Sequence, residues 1–77
     1  MDHEQALRAV SSGDLTEAVV IPAPNANGWL LTFTEHGGGR EVYTGHTGTE
    51  KVYHSLDQIT EVARDLGFDT VRVEEAF

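Results

Sequence analysis

Apolar positions recur along this chain with two different periods, and the switches between those periods outline its elements. In residues 2–12, DHEQALRAVSS, Ala6, Leu7 and Val10 fall on one helical stripe. Asp2, with Gln5 three positions on, offers a capping box, and Gly13 a stop. The β-branched run TEAVVIP, residues 16–22, reads as a first strand closed by Pro22, and PAPNANG, residues 22–28, as a loop. In GWLLTFTE, residues 28–35, strict alternation puts Trp29, Leu31 and Phe33 on one face and Leu30, Thr32 and Thr34 on the other. The first set is expected to be core. REVYT (40–44) and EKVYH (50–54) each carry a Val-Tyr pair after a charged residue and are expected as third and fourth strands.

The period then returns to that of a helix. Leu56, Ile59, Val62, Ala63 and Leu66 form one continuous apolar stripe, Ser55 and Gln58 supply a capping box, Asp57 and Glu61 lie near the positive end of the dipole, and Gly67 ends the element. DTVRVEE, residues 69–75, closes the chain with Val71 and Val73 inward and Thr70, Arg72 and Glu74 outward. The order is αββββαβ, which predicts an α+β two-layer sandwich: a mostly antiparallel sheet of about five strands under two helices. Short links between the middle strands favour hairpins, and the second helix is long enough to cross over to one parallel pair.

At 77 residues, 39% hydrophobic, the chain is a single domain, residues 1–77, too short for two cores. It has no cysteine to staple it, which fits a reducing compartment, and no basic-plus-apolar leader at its N-terminus. No apolar run approaches the roughly 20 residues that span a bilayer. A cytoplasmic protein is expected.

Thirteen acids against five bases give a formal charge of −8, and Arg8, Arg40, Lys51, Arg64 and Arg72 are scattered. Binding a phosphate backbone needs clustered cations, so direct contact with nucleic acid or an anionic membrane is disfavoured. A protein partner, basic by charge, is favoured, although a solubilising surface explains the same charge without one.

Residues 33–55 hold most of the glycines and three of the four histidines. GHTGTEKV lacks the four-residue spacing of a phosphate loop and runs into a predicted strand, so the glycines are expected as turns at 37–39 and 45–48. His36, His46 and His54 lie ten and eight residues apart, with His3 at the far end, against the two-to-five-residue spacing of ligand pairs in structural zinc sites. No metal or other cofactor is expected, and the histidines are taken as surface groups that gain charge below about pH 6.5. Ser11, Ser12 and Ser55 sit at helix ends, and no nucleophile stands beside a base, so an enzyme is not expected.

If Val42 and Val52 face the core, Tyr43 and Tyr53 face away from it, beside Leu30, as an exposed pair. Such a patch marks a docking surface. Tyr43, Tyr53 and Leu30, rimmed by Glu41, Glu74 and Glu75, are therefore the candidate partner-binding residues, unless the first helix or a second copy of the chain covers the tyrosines. Homodimerisation is expected through the first or fifth strand or the open sheet face.

With PAPNANGWLLTF, two hairpin strands, and then SLDQITEVARDLGFDTVRV, residues 18 to 74 resemble small proteins carried on plasmids and other mobile elements of Gram-negative bacteria, labelled replication or partition accessory proteins. The resemblance implies a non-enzymatic, protein-binding regulator of a mobile element's maintenance machinery. Two alternatives stay open. One is an acidic mimic of nucleic acid, like anti-CRISPR proteins, inhibiting a basic nucleic-acid-binding protein. The other is a small metal- or ligand-binding domain using the histidine- and glycine-rich hairpins.

Overall fold

A computed structural model describes residues 1–24, 27–46 and 51–74. The elements are α1 (His3–Ser12), β1 (Leu15–Pro22), β2 (Trp29–Glu35), β3 (Arg40–Val42), α2 (Leu56–Leu66) and β4 (Val71–Val73). Both helices form where their caps require. The Asp2 side chain accepts from Gln5 N while the Gln5 side chain accepts from Asp2 N, and the Ser55 side chain accepts from Gln58 N. Gly13 (φ 81°) and Gly67 (φ 114°) end them in the left-handed conformation.

Among the described residues one sheet of four strands runs in the order β3-β2-β1-β4. β1 pairs antiparallel with β2, from Leu15↔Glu35 to Pro22↔Trp29, and β3 pairs antiparallel with β2. β4 runs parallel to β1, Ala18 opposite Val71, after α2 has carried the chain across from the β3 edge. The α+β class with two helices is as the periodicity implies, and the single parallel pair has the crossover it needs. The sheet, however, has four strands and is mixed.

EKVYH is the expected strand that does not form among the described residues 51–54. It makes one isolated bridge, Tyr53 to Trp29, in which Trp29 N donates to Tyr53 O at 2.7 Å and Tyr53 N donates to Trp29 O at 2.9 Å. Among the described residues, 40–44 and 51–54 do not pair with each other as a hairpin. Tyr43 and Tyr53 lie along the same edge of β2: Tyr43 N donates to Leu31 O at 2.8 Å, and Tyr53 meets Trp29 two residues away. With Ser55 already capping α2, the chain has no length left to extend the pairing.

Helices α1 and α2 cover the same face of the sheet. Ala6 of α1 and Ile59, Ala63 and Leu66 of α2 join Ala18, Val20, Leu31, Phe33 and Tyr43 in one buried cluster. Phe33 is its centre, stacked on Phe68 at 5.7 Å and edge-on to Tyr43 at 5.9 Å. Trp29 is partly buried against this cluster, while Leu56, in the first turn, and Val73 are exposed, against their expected inward positions.

The opposite face is closed differently. Val19, Leu30 and Thr32 lie there almost fully buried, and the Thr32 hydroxyl donates to Val19 O at 2.7 Å. Arg40, from the β3 edge, meets Glu74, beyond the β4 edge, at 3.6 Å, and Arg72 contacts Glu74 and Glu17 at 3.4 and 3.1 Å. Because β3 and β4 are at opposite edges, the Arg40–Glu74 pair reaches over β2 and β1. Arg40 and Arg72 are exposed, so their charged heads stay wet.

Candidate functional site

Strand register decides where the tyrosines point. Val42 is opposite Thr32, on the face away from the helices, so Tyr43, next along and opposite Leu31, faces the core, as does Tyr53 opposite Trp29. The expectation of an exposed pair beside Leu30 is therefore corrected. Tyr43 is 3% exposed, Tyr53 is half-buried, and Leu30 is buried on the other side of the sheet. The alternative, cover by the first helix, applies to Tyr43: its hydroxyl is 2.8 Å from His3 Nδ1.

That contact depends on the N-terminal residues running beside the segment after β3. The Met1 amine donates to Val42 O, Thr44 N to Met1 O, and His3 N to Gly45 O. Gly45, at φ 67°, then turns the chain so that His46 comes back over His3, ring centroids 4.5 Å apart. His3 does not lie at a far end of the molecule. On the other side, Gln58, Glu61, Val62 and Asp65 recur at helical spacing on a stripe of α2 beside its core stripe.

Between these walls lie two adjoining cavities. One of about 340 Å³ is bounded by His3, Tyr43, His46 and Tyr53, the other, of about 410 Å³, by Val52, His54, Gln58 and Glu61. Lys51, Tyr53, Val62 and Asp65 line both, so the two form one groove along α2. The Lys51 ammonium stands 6.0 Å from the Tyr53 ring centre, the outer limit of a cation–π contact. Burial pushes both phenols above the ordinary tyrosine range, and Tyr53 is raised further by the neighbouring Tyr43. Both hydroxyls thus keep their protons at physiological pH.

The other candidate residues are dispersed. Glu41 lies 3.8 Å from the Met1 amine, Glu74 belongs to the ion pairs on the face away from the helices, and Glu75 falls outside the described residues, as does the second half of the expected 45–48 turn. The 37–39 turn forms, with Gly38 at φ 96° and Glu35 N donating to Gly39 O. Among the described residues no group of three or more His, Cys, Asp or Glu side chains is placed to hold a metal ion, and no helix is long and apolar enough to cross a membrane. Ser12 Oγ donates to Ala9 O and Asp14, and Ser55 caps α2. His3, His46, Lys51 and Asp65 were not among the expected site residues. The helical spacing of Gln58, Glu61, Val62 and Asp65 was the one signal that pointed toward this wall.

No family model, curated protein or solved structure matches the chain.

Proposed function

We propose that the protein is a non-enzymatic binding module that docks on another protein, with contact made in the groove between residues 51–54 and α2. The observation that carries this is the convergence of Tyr43, Tyr53 and Val62 in adjoining cavities of about 340 and 410 Å³, open to solvent and walled by rings. At roughly 30 Å³ per water-sized group, each has room for a large side chain. Binding energy at protein interfaces concentrates where such anchors enter pockets. The formal charge of −8 makes a basic partner the natural one. A role beside a mobile element's replication or partition machinery rests on the resemblance of residues 18 to 74 alone.

Mimicry of nucleic acid is less well supported. The exposed acids Asp57, Glu61 and Asp65 follow one another every fourth residue on α2, which is about 6 Å of rise per charge. Duplex DNA carries one charge per roughly 1.7 Å. The row is several times too sparse.

Affinity capture from the source organism, with bound proteins identified by mass spectrometry, tests the proposal when paired with Gln58→Trp, which fills the groove from an exposed helix position. A partner lost by Gln58→Trp and kept by Thr16→Trp, at an exposed position on β1, is the expected result. Equal recovery with both variants overturns it.

A further inference from the structure

We infer that the groove receives a lysine or arginine side chain of the partner over the Tyr53 ring, and that Lys51 occupies this position within the free chain. The inference rests on the protein-docking function and specifies its chemistry. Tyr53 forms the floor shared by both cavities, and the neighbouring α2 wall carries Glu61 and Asp65. A ring face with carboxylates beside it is a receptor for a cation, because the quadrupole and the charges attract the same sign. Lys51 already stands above that ring at 6.0 Å with its side chain exposed and with no carboxylate within salt-bridge distance among the described residues. At the outer limit of a cation–π contact it is weakly held over the ring, and an incoming cation that also reaches Glu61 or Asp65 displaces it. The intrachain cation then acts as a competitor that sets how tightly a basic segment binds.

The probe is an acetylated Arg-Gly-Arg-Gly-Arg peptide, with its uncharged citrulline counterpart as control, titrated into the full chain at low salt and followed by amide NMR shifts. Shifts centred on Lys51, Tyr53, Val62 and Asp65 with the arginine peptide only are expected. Lys51→Ala should bind it about two- to fivefold more tightly, the range of an exposed cation–π contact. Asp65→Asn and Glu61→Gln should each bind about two- to fivefold more weakly. Removing charge at the exposed positions Arg8 (to Gln) and Asp14 (to Asn) should change affinity less than twofold. Lys51→Ala and Arg8→Gln acting alike, or shifts centred elsewhere, overturn the inference in favour of diffuse electrostatics. All these positions are exposed, and unchanged melting curves certify the fold. If the peptide fails while Gln58→Trp still abolishes partner capture, the cation inference falls and the docking function stands. If Gln58→Trp leaves capture intact, the docking function itself falls.

Discussion

Replacing Gly28 by alanine attacks the point where the groove is fastened to the sheet. A Cβ built there lies 2.6 Å from both Tyr53 O and Val52 Cγ1, about 0.8 Å inside the 3.4 Å at which ordinary contact begins. Neither atom is the free end of a flexible side chain: one is backbone, and the other is on a β-branched residue. Relief requires the 52–53 segment to retreat, which stretches the two hydrogen bonds between Trp29 and Tyr53, now 2.7 and 2.9 Å. Forced overpacking costs about 1–3 kcal/mol, and each hydrogen bond lost adds about 0.5–1.5 kcal/mol. Alanine's smaller unfolded-state entropy returns about 0.4–1 kcal/mol. With both bonds lost the net expectation is a loss of about 1–6 kcal/mol, with Tm falling about 4–8 °C for each kcal/mol in a domain of this size. Urea unfolding followed by fluorescence of Trp29, the only tryptophan, measures both the stability and the local change. Gly37→Ala, with nothing within 4 Å of its added Cβ, is the control and should stay within about 0.5 kcal/mol. Gly28→Ala behaving like that control, with unaltered tryptophan emission, would refute the close-approach account of the bridge.

Ile59 is fully buried in the centre of α2's core stripe, so Ile59→Ala should cost about 2–5 kcal/mol in the same urea assay. A cost below 1 kcal/mol would show that the helix is not seated as described. Asp2→Ala removes one arm of the capping box on α1 and should cost about 0.5–2 kcal/mol, read by thermal melting, while Asp2→Asn should cost less. Tyr43 and Tyr53 have folded pKa values raised by burial, so their contribution to stability is fully present below the ordinary tyrosine value of about 10 and is lost as the pH rises through the higher folded values. Tm measured against pH should fall in that alkaline window, with phenolate absorbance of the folded protein appearing late. Ordinary titration near 10 would contradict the burial of the phenols.

Local signals carried the helices, because caps and stripes are short-range. Asp2 with Gln5, Gly13, Ser55 and Gly67 all stand where the sequence places them, and the alternation Trp29–Leu31–Phe33 marks the face the helices cover. The tyrosines went to the wrong side because a Val-Tyr pair does not state which member faces inward. That is set by Thr32 standing opposite Val42, a pairing across strands. EKVYH has the composition of a strand, yet it finds only one partner residue on a β2 edge already taken by β3. The groove was least legible, since His3, His46, Tyr53 and Asp65 come from four separate stretches. What unites the first two is backbone bonding of residues 1–3 to 42–45, which leaves no periodic trace.

The arginines stretched over the sheet face away from the helices also cancel their own charge within one strap of ion pairs. Arg40 and Arg72 are neutralised there by Glu17 and Glu74, so the formal charge of −8 falls to the rest of the chain. Added salt screens these exposed pairs and leaves the buried cluster untouched, so a salt titration of stability reads the strap of charges apart from the core.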